Sequence, residues 1–134
     1  MDTEIISIHT GKRRQVVDIT APAARFVEGR GDGLLSVFVP HATAGLAIME
    51  TGAGSDTDLL DALDGFLPRD DRWRHGHGSV GHGADHVMPA FVGPSLTIPV
   101  QSGSLLLGTW QSVVLVDPNT DNPERRIRFS WVPG

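Results

Sequence analysis

The chain contains no cysteine among its 134 residues. That excludes a disulfide, a thiolate metal site and a thiol nucleophile. It also fits a cytoplasmic location, which is the expectation here. No apolar run approaches the roughly 20 residues that cross a bilayer, so no membrane partner is expected. The first residues, Met1-Asp2-Thr3-Glu4, are acidic and lead directly into strand-like sequence, so no secretory signal is expected. Positive charge is scarce: 11 Lys+Arg face 16 Asp+Glu, a net charge of −5. This argues against a general nucleic-acid surface, and any anion site must be a local cluster of Arg and His. Internal repeats and low-complexity segments are missing. So are the usual zinc spacings, His-Glu-x-x-His and paired cysteines.

What remains is the composition of an ordinary globular domain, long enough for a substantial core. A single domain over 1–134 is expected. Glu4 to His9 and Gln15 to Ile19 are rich in β-branched residues, and the Gly11-Lys12-Arg13 turn between them predicts a hairpin. Thr20 is placed to cap a short helix from Ala21 to Glu28. Leu34 to Val39 is nearly all apolar and reads as a strand buried on both faces. Gly45 to Glu50 is a short strand ending in a carboxylate. Ser55, with Asp58 three residues on, opens a helix whose apolar face is Leu59, Leu60, Leu63, Phe66 and Leu67. Pro68 stops it.

Gln101-Ser102-Gly103 joins two strands, Ser95 to Val100 and Ser104 to Leu107, in a second hairpin. Gln111 to Asp117 is an apolar strand, followed by a turn-rich connection through Pro123. The last strand alternates Ile127, Phe129 and Trp131 with Arg126, Arg128 and Ser130. This order predicts an α+β fold, mostly antiparallel β-sheet or sandwich with two or three helices.

The chemistry concentrates between Arg74 and Phe91. Four of the six histidines fall from His75 to His86, mostly separated by glycine. Imidazole is the side chain best suited to bind a divalent metal or to move a proton near neutral pH. His75, His77, His82, Asp85, His86 and His41 supply enough donors for a metal site. By spacing alone, a solvated His-Gly loop or a metal-free phosphate site fits as well. His41-Ala42-Thr43-Ala44-Gly45 sets an imidazole and a hydroxyl just past a strand, among small residues that let a ligand approach the backbone. Glu50 is a candidate general base. Trp110 and Gln111 interrupt a sheet with an indole and an amide, suited to stack on a flat ring and bond its edge. Arg125, Arg126 and Arg128 are candidates for holding phosphate.

His41-Ala42-Thr43-Ala44-Gly45-Leu46, Glu50, His75, Gly81-His82 with His86, Ser95-Leu96-Thr97-Ile98-Pro99, Leu107-Gly108-Thr109-Trp110-Gln111 and the basic last strand occur together and in this order. Together they resemble the YjbQ-like family, also described as secondary thiamine-phosphate synthase. The resemblance covers nearly the whole chain. It implies a compact α+β homotrimer, a site near the subunit boundaries, and a weak thiamine-phosphate synthase activity. That reaction joins a pyrimidine-methyl diphosphate to a thiazole phosphate and releases diphosphate.

On this match His41, His75 and His86 fall on the family's histidines and Glu50 on its acidic position. The resulting assignment gives His41, Glu50 and His86 to catalysis, and Thr43, His82, Trp110, Gln111 and Arg126 to the small phosphorylated substrate. His41, His75 and His86 are assigned to a divalent ion, Zn or Mg. The chain departs from the family pattern at Ala42 (usually Thr), His82 (commonly Asn or Asp), Val87-Met88-Pro89, Asp117 (usually Glu) and Asn122-Pro123-Glu124 (usually Gly-Pro-Arg). His82 therefore reads as a residue supporting the metal ligands, and His77 as a bystander. Two alternatives stand beside the transferase: a metal-dependent phosphoester hydrolase and a non-catalytic trimeric ligand-binding module.

Overall fold

The computed structural model describes residues 1–134. In chain order the elements are β1 (Thr3–His9), β2 (Gln15–Asp18), α1 (Thr20–Val27), β3 (Gly33–Phe38), β4 (Gly45–Met49), α2 (Ser55–Phe66) and α3 (His82–Val87). A 3-10 turn (Met88–Ala90), β5 (Ser95–Gln101), β6 (Ser104–Leu105), β7 (Ser112–Asp117) and β8 (Glu124–Pro133) complete the chain. The strands form a five-stranded sheet, β1-β8-β3-β5-β6, and a three-stranded sheet, β2-β7-β4. Every pairing is antiparallel. With three helices, this is the α+β architecture expected.

Strand β7 explains the layering. Val113 and Leu115 point into a core shared with Leu35, Val37, Ile127 and Phe129 of the large sheet. Val114 and Val116 point the other way, into a second core with Leu63 and Leu67 of α2, Ala84 of α3 and Met88. A strand covered on both faces has no reason to alternate, and β7 does not. Helix α1 adds Ala23, Phe26 and Val27 to the inter-sheet core. Strand β8 keeps its alternation, with Ile127, Phe129 and Trp131 buried.

Three local expectations are corrected. First, β1 and β2 do not form a hairpin: β1 pairs with β8, and β2 with β7. The Gly11 turn carries the chain from one sheet to the other, because the two apolar faces line different parts of the sandwich. Second, β3 is buried on one face only. Leu35 and Val37 are inside, whereas Leu34 and Phe38 are 42% and 41% exposed. They lie on the outer face of the large sheet, while α2 and α3 pack against the small one. Third, the helix starts are not side-chain caps. Thr20 lies inside α1, where its Oγ1 accepts the Val113 N–H at 2.9 Å. The residue before α2 is Gly54, and Ser55 makes no cap bond.

The core also contains an ion pair. Arg125 and Asp117 are 1% and 0% exposed, and both Nε and Nη2 of the arginine donate to the carboxylate at 2.8 Å. Nη2 also donates to Thr43 Oγ1 at 2.9 Å. A buried charge is tolerated when it is paired and fully hydrogen-bonded. No buried side-chain polar atom lacks a partner.

Candidate metal centre

His82 and His86 stand four residues apart on α3, so one helix face presents both imidazoles. Their Nε2 atoms are 3.0 Å apart. His75, from the loop before the helix, lies over them, its ring centroid 3.9 Å from that of His86 and 5.1 Å from that of His82. One ligand atom from each of His75, His82 and His86 lies within 4.8 Å of the others. Nitrogens bound tetrahedrally to one zinc at 2.0–2.1 Å stand about 3.4 Å apart, so the three rings must draw together to share one ion.

Two glycines let the loop fold back onto its own helix. A Cβ on Gly83 would meet Trp73 and stand 2.7 Å from the His75 carbonyl oxygen. A Cβ on Gly78 would stand 2.5 Å from His82 Cγ and Nδ1 and 3.0 Å from Asp121 Oδ2, and its φ is 87°. Behind the helix, His82 Nδ1 is 2.5 Å from Asp121 Oδ2. Asp85, 1% exposed, takes both Arg69 Nη1 and Nη2, and Asn119 Nδ2 at 2.9 Å. This network fastens α3 to the β7–β8 connection.

Two of the imidazoles, His75 and His86, are shifted toward the neutral form. Loss of solvent lowers the pKa of His86 below its usual value, helped by His75, His82 and His77, with Asp85 opposing. His75 is lowered by the same cause first, then by His77 and His82. Neutral imidazole is the form that binds a metal. Asp121 is lowered mainly by the Ser79 N–H and then by His82, so it stays an acceptor. A cavity of about 350 Å³ opens beside the rings, lined by His75, His77 and His82 together with Asp70, Asp71 and Trp73. No Arg or Lys lines it.

The structure brings together His75 and His86 of the expected ligands, joined by His82 rather than His41. Gly78 and Gly83 let the loop return to α3. His41 Nε2 accepts the Arg126 N–H at 2.9 Å. Strand β3 ends with Phe38 opposite Arg128, so Arg126 has no β3 partner and the imidazole takes the place of a strand carbonyl. Burial lowers the His41 pKa first, then Arg125, while Asp117 opposes. Thr43 is 3% exposed with its hydroxyl on Arg125. Arg125 itself is not available to phosphate within this fold.

Arg126 and Glu50 are exposed. Trp110 is 74% exposed in a turn closed by Gln111 Oε1 accepting the Gly108 N–H at 2.8 Å, not packed in the core. None of Thr43, Glu50, Trp110, Gln111 and Arg126 lines the cavity. His77 does, with its ring 4.1 Å from that of His75. Asp121 and Asn119 escaped the sequence reading, which took residues 117–123 as a connection only. The density of Asp and Asn there was the available signal.

A family model described as UPF0047 protein YjbQ-like matches residues 4–133. UPF0047 protein Rv2556c of Mycobacterium tuberculosis is 61% identical over 134 residues, covering 100% of both chains. UPF0047 protein YugU of Bacillus subtilis is 33% identical, covering 96% of this chain and 97% of its own. Among solved structures, a YbjQ-like protein of unknown function from Sulfolobus solfataricus superposes with a TM-score of 0.91 at 27% identity, covering 99% of this chain and 97% of its own. A hypothetical protein from Aeropyrum pernix gives 0.89 at 30% identity, with both chains covered fully. The chain belongs to the YjbQ-like UPF0047 family.

Proposed function

We propose that the protein is a metal-dependent enzyme acting on a small phosphorylated substrate, by a thiamine-phosphate synthase-like condensation. The observation that carries the metal is the set of ligand atoms on His75, His82 and His86, all within 4.8 Å. Three imidazole nitrogens suit zinc, whereas magnesium favours oxygen donors. A zinc ion held there supplies a Lewis acid for a phosphate oxygen. The cavity of about 350 Å³ beside the rings offers room for a heterocycle.

In the condensation a thiazole nitrogen forms a bond to the methylene carbon of the pyrimidine, and the carbon–oxygen bond to diphosphate breaks. The leaving group is strongly anionic and needs cations. Arg126 and Arg128 project from the same face of β8 and are exposed, but they belong to the His41 end of the molecule. A homotrimer, which the family resemblance implies, is the arrangement in which His41 and Arg126 of one copy complete the histidine cluster of the next. The exposed Ile5, Leu34 and Phe38 on the outer sheet face suit such an association. The test is turnover of both substrates by zinc-loaded protein, beside a His86→Ala variant. Formation of thiamine phosphate and diphosphate that the variant lacks supports the reading. No product above a heat-killed control removes it.

A second reading is a phosphoester hydrolase. It is favoured by the cavity lining, which includes Asp71 and an Asp70 paired with Arg72, and no arginine or lysine. A panel of phosphate monoesters tests it, and chelator-insensitive turnover, or none, counts against it.

A further inference from the structure

We propose that Asp121 is the positioning residue of the histidine cluster: it fixes His82 in the tautomer with hydrogen on Nδ1, so that Nε2 presents its lone pair toward the ion. The inference rests on the metal-binding reading above and deepens it.

The geometry leaves the imidazole little choice. His82 Nδ1 lies 2.5 Å from Asp121 Oδ2. An ionised carboxylate only accepts, so Nδ1 must carry the hydrogen. The one other polar group near Nδ1 is Asn119 Nδ2 at 3.3 Å, and that amide donates to Asp85 Oδ2 at 2.9 Å. Nε2 is then the acceptor, and in the metal-free chain the His86 Nε2–H donates to it at 3.0 Å.

Asp121 is itself held in place. Oδ2 accepts from Ser79 N at 3.1 Å and Ser79 Oγ at 2.9 Å. Its own N–H donates to Asn119 Oδ1 at 2.9 Å. The Gly78 backbone closes over the pair so tightly that an added Cβ would stand 2.5 Å from His82 Nδ1. The carboxylate comes from the β7–β8 connection, 39 residues from His82, so the centre is oriented from the sheet and not only from its own helix. This is the carboxylate–imidazole–metal pattern in which loss of the outer partner costs about 10–100-fold in metal affinity.

The test uses zinc(II) and cobalt(II) alone as probes, in competition with a chromophoric chelator, on wild type, Asp121→Asn and Asp121→Ala. Asparagine keeps an acceptor but loses the charge; alanine loses both. The inference predicts affinity falling in the order wild type, Asn, Ala, with the Ala variant down about 10–100-fold. It also predicts that nitrogen-edited NMR of the metal-free proteins finds hydrogen on His82 Nδ1 in wild type and a tautomer mixture in Asp121→Ala. The NMR result stands even if a variant is less stable, provided it is folded. Metal binding by wild type with affinity within about twofold in both variants overturns the role of Asp121 while leaving the metal centre intact. If wild type binds neither ion, the metal reading fails, and this inference with it.

Discussion

The His41 imidazole stands in for a β-strand carbonyl at Arg126: its Nε2 accepts the Arg126 N–H at 2.9 Å, just past the end of β3. A residue that a family motif assigns to chemistry thus also holds the sheet edge together. His41→Ala leaves that exposed N–H to water and should lower stability by about 0.5–1.5 kcal/mol. His41→Gln, whose amide oxygen can accept, should recover most of the loss. Urea midpoints of the two metal-free variants check this, and equal midpoints for Ala and wild type would contradict it.

The same residue gives a pH signature. His41, His75 and His86 all have pKa values lowered from the ordinary 6.5. The folded chain therefore binds fewer protons than the unfolded one below about neutral pH, and stability rises with pH there. This contribution is present above pH 6.5 and is lost as pH falls through 6.5 toward the lower folded-state values. Metal-free wild type should unfold at less urea at pH 5.5 than at 7.5, and His41→Gln should show a shallower dependence. A midpoint that rises on acidification would contradict the assignment.

Gly78 should be intolerant of a side chain. Alanine there must push on His82 and Asp121 and adopt φ near 87°. The expected cost is about 1–3 kcal/mol from overpacking, together with a loss of zinc affinity. Gly76→Ala is the control, because a Cβ there meets only the Arg74 carbonyl oxygen at 3.9 Å. Chelator competition on the two variants separates the effects.

Arg125 and Trp110 should behave oppositely. Arg125→Ala strands Asp117 in the core and should cost about 3–5 kcal/mol. Trp110, 74% exposed, should be replaceable by alanine within about 0.5 kcal/mol. If Trp110 contacts substrate, its loss appears in KM alone. Thermal unfolding and steady-state kinetics read the two.

The alternation of β8 and the unbroken apolar run of β7 were legible because each pattern reports how many faces are covered. Arg125 shares the odd-numbered face of β8 with Ile127, Phe129 and Trp131, so its burial was available from the same alternation. Which strands pair was not legible, because the Gly11 turn reads the same whether it closes a hairpin or changes sheets. The imidazoles of His75 and His86 were read as parts of one site from the motif. Their company was not: His82 joins them because α3 begins at His82, which places it one turn from His86, and no cap residue announces that start. Asp121 reaches the cluster through tertiary packing across 39 residues, which no local pattern encodes.

The most direct test of the account is zinc stoichiometry and affinity for wild type against His75→Ala, His82→Ala, His86→Ala and His77→Ala, at pH 7.5 in metal-stripped buffer. The account predicts one ion per chain in wild type, a loss of at least about tenfold in affinity for each of the first three variants, and little change for His77→Ala. No zinc bound by wild type, or unchanged binding when His86 is removed, would contradict it.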